Sequence, residues 1–291
     1  MDRPASTVNP RAPLDGVNVP AVPVPRNPIE RRTFFGVLAV GLASVVAGCS
    51  SGDQAQGHAV PVPGGAALAR PPDRPSAPSQ QPPSAGGRRV LTQAPTATNR
   101  IALTVDDGYR DEVVAGYVDF ALRTGIHLTF SPNGLYAHAW APHATQLKPL
   151  IERGQVQMMN HTFNHPDLRK LTDPQIRAEL ERNDEWVQAV FGVSTKPYYR
   201  PPYGLHNEHI DGIAADLGYP NTVLWSGSFG DWKQVTPEFL LAQARQCLQP
   251  GVILLGHANH PTVLGLFDQI TDLIKQRNLD PATLNEMFAG N

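Results

Sequence analysis

From about residue 98 the chain alternates short apolar runs with longer amphipathic ones. "RIALTV" (100–105), "IHLTFSP" (126–132), "VQMMNHT" (156–162), "KPYYRPP" (196–202), "NTVLWSG" (221–227) and "VILLGHA" (252–258) read as strands. Between them, residues 111–125, 144–154, 172–192, 206–218, 236–251 and 262–278 carry apolar positions at helical spacing. Thr172 and Gly192 are start and stop signals for the longest of these, and Thr236 followed by Pro237 starts another. The closing stretch "LDPATLNEMF" fits neither period clearly. Regular alternation of this kind predicts a parallel sheet covered by helices. No GxGxxG follows the first strand, which argues against an open nucleotide-binding sheet. The segment 98–291 has roughly 190 residues, short for an eight-unit barrel of about 250. The expected fold is therefore α/β, and a barrel with fewer strands than eight would fit.

Composition divides the chain at the same place. Sixteen of the 29 prolines precede residue 98, and residues 50–97 contain no Phe, Trp or Tyr. Such a segment buries too little apolar surface to offset the entropy of ordering it. Residues 49–97 are accordingly expected to be a disordered tether, spanning on the order of 40 Å as a coil. Upstream, Arg31 and Arg32 precede an uncharged stretch of sixteen residues, Thr33 to Gly48, which is short for a membrane span and suits a signal peptide. Val46-Ala47-Gly48-Cys49 resembles the lipobox of bacterial lipoprotein signals. "RRTFF" resembles a twin-arginine export signal, although Glu30 and Gly36 depart from its usual flanks. Residues 1–48 are thus expected to direct export, and lipid on Cys49 would hold the protein at the outer face of the cell membrane. Cys247 would then have no disulfide partner and is expected on a helix as a small hydrophobe. A net charge of −2 gives no broad basic field for nucleic acid.

In parallel barrels chemistry gathers at the C-terminal ends of the strands. Asp106 and Asp107 end the first strand, His161 and His165 the third, Arg200 and Tyr203 the fourth. Asp231 and Trp232 follow the fifth, and His257 ends the sixth. One helical turn through His161 and His165 would aim both rings at a single point. Ten histidines make close pairs inevitable, and His206/His209 and His257/His260 are spaced similarly. The first pair gains weight because Asp107 can complete a two-histidine, one-carboxylate set for a catalytic divalent metal. Asp106, beside the ion but not bound to it, could take a proton from water, and Arg200 could hold it in place. Pro201 and Pro202 lack N–H groups, so Tyr203 offers the first backbone donor after a stiff turn, suited to an oxyanion. His257 could protonate a leaving group.

Together these residues resemble the polysaccharide deacetylase family, also called the NodB homology domain or carbohydrate esterase family four. "TVDDG" (104–108), "HTFNH" (161–165), "RPPYG" (200–204) and "LGH" (255–257) resemble four of its motifs in order, with Val105 where Phe is usual. The resemblance covers roughly residues 98–280. It implies an α/β fold, a distorted (β/α) barrel with about seven strands, and metal-dependent removal of N- or O-acetyl groups from sugars, most often at N-acetylglucosamine, with zinc as the usual metal; the exported, tethered layout favours an envelope polysaccharide. It assigns Asp106 as base, Asp107, His161 and His165 as metal ligands, and His257 as acid. It also implies that Arg200 and Asp231 support the base and the acid, that Tyr203 supplies the oxyanion donor, and that Leu255 lines the acetyl-methyl pocket. Trp232 remains beside Asp231 in the fourth motif, as a further substrate-binding residue. In that motif, "WSGSFGDW", Ser226 and Ser228 stand where the family tends to be acidic, which puts substrate choice in doubt. The rival is a non-catalytic sugar- or wall-binding lipoprotein on the same scaffold; a pure binder would not need Asp106.

Overall fold

The structure is a computed structural model that describes residues 87–94 and 97–289. The expected signal segment, Cys49 and the tether as far as residue 86 lie outside the described residues. The strands are β1 (Arg89–Leu91), β2 (Arg100–Asp107), β3 (Leu128–Pro132), β4 (Val156–Met158), β5 (Tyr198–Tyr199), β6 (Asn221–Val223), β7 (Gly227–Ser228), β8 (Ile253–His257) and β9 (Asp280–Pro281). The helices are α1 (Asp111–Thr124), α2 (Ala137–Trp140), α3 (Ala144–Glu152), α4 (Asp173–Phe191), α5 (Glu208–Asp216), α6 (Pro237–Cys247), α7 (Phe267–Gln276) and α8 (Leu284–Met287).

Strand pairing gives a distorted barrel. One sheet runs β4-β3-β2-β8-β7 and the other β1-β6-β5, with every pairing between strands parallel. A parallel bridge between Asn160 and Tyr199 joins β4 to β5. On the other side, an antiparallel bridge between Gln93 and Val252 brings the chain after β1 against the start of β8. The folded unit therefore begins upstream of residue 98: β1, which falls inside the expected tether, fills the seam beside β6. Its backbone hydrogen bonds, not its composition, hold it there. The expected strand 221–227 is split at Leu224, whose N–H turns to the Leu91 carbonyl, before β7 resumes against β8.

Period-two alternation on β2 sorts the core. Leu103 and Val105 face the helical layer, where Val113, Tyr117 and Phe120 of α1 meet Phe267 and Ile270 of α7. Phe120 stacks on Phe267 with ring centroids 4.4 Å apart. Ala102 faces inward to Ile253, Met159, Tyr198 and Val223, and Leu284, Met287 and Phe288 complete that inner cluster from the C-terminal segment. Each fully buried Val, Leu, Ile, Phe or Met side chain among these contributes about 1.5–3 kcal/mol. The stretch "LDPATLNEMF" thus becomes β9, paired with the start of β2, and the capped helix α8.

The expected helix signals operate as read. Thr172 and Gln175 form a capping box on α4, which ends at Gly192 with φ +81°. Thr236 accepts from the Phe239 N–H at the start of α6, with Pro237 in the first turn. Cys247 is the last residue of α6, half-buried and without a disulfide partner among the described residues.

Candidate active site

Asp106 and Asp107 end β2, which lies between β3 and β8. In register, Asp106 lies beside His257 of β8 and Ser131 of β3. Asp106 is almost wholly buried, and Arg200, fully buried, donates to its Oδ1 from Nη1 at 2.8 Å. The same guanidinium donates to Thr104 Oγ1 at 2.9 Å and to the Val223 and Leu224 carbonyls, each at 3.2 Å. Thr104 and Asp106 are two residues apart on β2 and so share the face that meets Arg200. Four acceptors fix this cation beneath the rim.

Asp107 leaves the strand with φ +66°, and Gly108 follows with φ +90°. A Cβ on Gly108 would fall 2.2 Å from Trp140 Nε1, so only glycine allows the indole to close on this turn. Trp140 uses that approach to donate Nε1–H to the Asp107 carbonyl at 2.8 Å.

His161 and His165 do not share a helical turn. Residues 159–167 form an irregular loop in which Thr162 (φ +66°) and His165 (φ +56°) adopt left-handed backbone. Tertiary contacts impose that path. Asn133 Nδ2 donates to the carbonyls of His161 and Thr162, Asn160 Oδ1 accepts from the Thr162 N–H, and Glu179 Oε2 accepts from the N–H groups of Phe163 and Asn164. The rings still converge: each Nε2 lies 3.5 Å from Asp107 Oδ1, and the three ligating atoms lie within 4.8 Å of one another. His161 Nδ1 lies 2.8 Å from the Arg200 carbonyl, an acceptor, so Nδ1 carries the proton and Nε2 faces the carboxylates.

The donor set suits a divalent metal. Asp107 Oδ1 is buried and accepts no hydrogen bond. A four-coordinate ion with bonds of about 2.0–2.1 Å keeps its ligand atoms about 3.3–3.4 Å apart, close to the separations from Oδ1 to the two imidazoles. Burial pushes the Asp107 carboxyl up, but the facing imidazole of His161 and the charge of His165 outweigh it and hold the group well below the usual range. His165 is lowered to about 4, by burial first and then by His161. For His161 burial opposes protonation, yet Asp106 and Asp107 raise its pKa above the ordinary value. A cation held by Asp107, His161 and His165 would satisfy the same carboxylates in place of that proton.

Across the barrel mouth, Asp231 holds His257. Its Oδ1 lies 2.9 Å from Nδ1, and its Oδ2 accepts from the His257 backbone N–H at 3.1 Å. Burial alone would lower the His257 pKa; the hydrogen bond and charge of Asp231, with Asp106 and Asp107 further off, raise it. Leu255 lies two residues before His257 on β8, on the same face and buried. Tyr203 sits in a tight turn at φ +61°, its exposed ring edge-on to His165 at 4.6 Å between centroids. Trp232 stands beside Asp231, 64% exposed, with Lys233 Nζ 5.0 Å from its ring. The other histidine pairs go elsewhere: His206 to Asp211, His209 to Asp173, and His260 to the Tyr109 hydroxyl. Sequence reasoning missed the loop-holding Asn133, Asn160 and Glu179, and also Trp140 and Asn259; all but the Asn160 contact to Thr162 are long-range.

The polysaccharide deacetylase family matches residues 93–222, which include Asp106, Asp107, His161, His165, Arg200 and Tyr203. The peptidoglycan-N-acetylmuramic acid deacetylase PdaA of Bacillus subtilis is 32% identical over 185 residues, 62% of this chain and 68% of that protein. The PdaA structure superposes with a TM-score of 0.60 at 28% identity, covering 73% of this chain and 93% of that one. A CE4 family pseudoenzyme from Bacillus anthracis shares the fold, with a TM-score of 0.61 at 19% identity over 69% of each chain. Its likeness shows that the barrel alone does not decide activity. The extent of the match to PdaA, in sequence and in fold, shows that this chain belongs to the polysaccharide deacetylase family.

Proposed function

We infer that the protein is a metal-dependent hydrolase that removes acetyl groups from N-acetylated envelope polysaccharide, with N-acetylglucosamine residues as the substrate unit and zinc as the metal. The observation that carries this reading is Asp107 Oδ1, a buried acceptor without a hydrogen bond, faced by two imidazole nitrogens and flanked by a carboxylate and a histidine each held by a buried partner. Asp107, His161 and His165 would hold the ion, which supplies Lewis acidity toward the acetyl oxygen and toward water. Asp106 takes a proton from the attacking water as the new carbon–oxygen bond forms, and the Tyr203 N–H receives the developing oxyanion. His257 gives its proton to the sugar nitrogen as the carbon–nitrogen bond breaks, releasing acetate and a free amine. Arg200 keeps Asp106 in place, and Asp231 keeps His257 protonated and oriented. Leu255 and Trp232 border the acetyl group and the sugar.

The mature protein is proposed to begin at lipid-modified Cys49 and to work at the outer face of the membrane, with the Pro-rich tether giving reach toward the wall. Relatives named as peptidoglycan deacetylases support an envelope substrate for this chain as well. Acetate release from chitooligosaccharide and from peptidoglycan, with and without added zinc, tests the proposal. Zinc-dependent release from either polymer is expected; binding without any release would favour the sugar-binding reading.

A further inference from the structure

Every acceptor atom of Asp107 except Oδ1 has a partner. Its carbonyl accepts from Trp140 Nε1 at 2.8 Å, and its Oδ2 accepts from Asn259 Nδ2 at 2.7 Å. Asn259 is 6% exposed, and its Oδ1 accepts from the Gly108 N–H at 3.2 Å. The orientation of this amide follows from chemistry. A backbone N–H can only donate, so the oxygen must face Gly108, and the nitrogen must then face the carboxylate.

One amide thus grips two adjoining groups of a turn that is costly to form. Asp107 is a non-glycine residue in left-handed backbone, a conformation that costs about 1–2 kcal/mol. Clamping Oδ2 also removes the carboxylate's freedom to rotate. The two oxygens become unequal: one is held, and the other is left bare toward His161 and His165. The same logic operates on the opposite ligand, where the Arg200 carbonyl fixes His161 through the nitrogen that does not face Asp107.

The geometry points to Asn259 as a positioning residue for the metal site, holding Asp107 as a one-oxygen ligand through Oδ1. This rests on the metal-site reading above. Asn259 touches no atom assigned to substrate or ion, so it acts through Asp107. Removing an outer partner of a metal ligand weakens binding about 10–100-fold, and that is the size of effect expected here.

The test is zinc affinity, measured on the folded protein by competition with a chromophoric chelator. Asn259→Ala should weaken zinc binding by about 10–100-fold. Asn259→Gln keeps the amide and much of the packing but moves the grip by one methylene. It should show a similar loss and covers the case in which the alanine variant does not fold. Gln155→Ala serves as the control, because it removes a buried amide at the opposite end of the barrel, where Gln155 donates to the Ala121 and Ile126 carbonyls. It should lower stability and leave zinc affinity unchanged. Wild-type affinity in the folded Asn259 variants, or an equal loss in Gln155→Ala, would overturn the assignment. A wild-type protein that binds no zinc would instead overturn the metal-site reading.

Discussion

Asp106 has two duties that two substitutions separate. In the proposed chemistry it is the base, and in the fold it is the counter-charge of a fully buried arginine. Asp106→Asn keeps an oxygen 2.8 Å from Arg200 Nη1, so the hydrogen bond survives without its charge. The amide oxygen still accepts from a charged donor, a bond worth about 1.5–3 kcal/mol, against about 3–5 kcal/mol for leaving the buried charge unmet, so this change should cost about 1–2 kcal/mol. Asp106→Ala removes the acceptor as well. The guanidinium then keeps only neutral partners, Thr104 Oγ1 and the Val223 and Leu224 carbonyls. An uncompensated buried charge costs about 3–5 kcal/mol. Both variants lose the base, and both should lose about two to four powers of ten in kcat/KM for acetate release. Urea unfolding of the zinc-loaded proteins reads the stability difference, with Ala below Asn below wild type. An Asn variant within tenfold of wild-type activity would place the base elsewhere. Wild-type stability in both variants would refute the argument that Arg200 depends on the carboxylate.

Three further outcomes are expected. Asp231→Asn should move the alkaline limb of the kcat/KM profile to lower pH and leave the acid limb in place: Asp231 raises the His257 pKa, so losing its charge lets the imidazolium give up its proton earlier; a fixed alkaline limb would show that Asp231 does not tune His257. Elemental analysis should find one divalent ion per wild-type chain and about none in His165→Ala, and equal contents would remove His165 from the ligand set. Cys49→Ala should release the protein from membranes or leave an unprocessed precursor, and unchanged mass and partition would reject lipidation.

The strands that carry the site were legible because each is an apolar run ending in an acid, arginine or histidine, and a parallel barrel collects such ends at one mouth. The backbone between them was less so. The spacing of His161 and His165 suggests a helical turn, but Asn133, Asn160 and Glu179 hold the loop in a left-handed path. Asn133 and Glu179 lie 15 or more residues away, and Asn160 acts locally by a side-chain bond to the Thr162 N–H, so no hydrophobic period reports them. β1 escaped because three residues cannot show a period, and only one of them, Leu91, is fully buried. Asn259 left no signal either: a single amide two residues past His257 gains its meaning only when β8 is laid beside β2.

The central claim is that Asp107, His161 and His165 hold an ion without which the acetyl group is not removed. The most direct measurement is acetate release from an N-acetylglucosamine oligomer by chelator-treated enzyme titrated with zinc. Activity should rise from near zero in proportion to added zinc and level off at one ion per chain. Full activity in the metal-free protein would contradict the account.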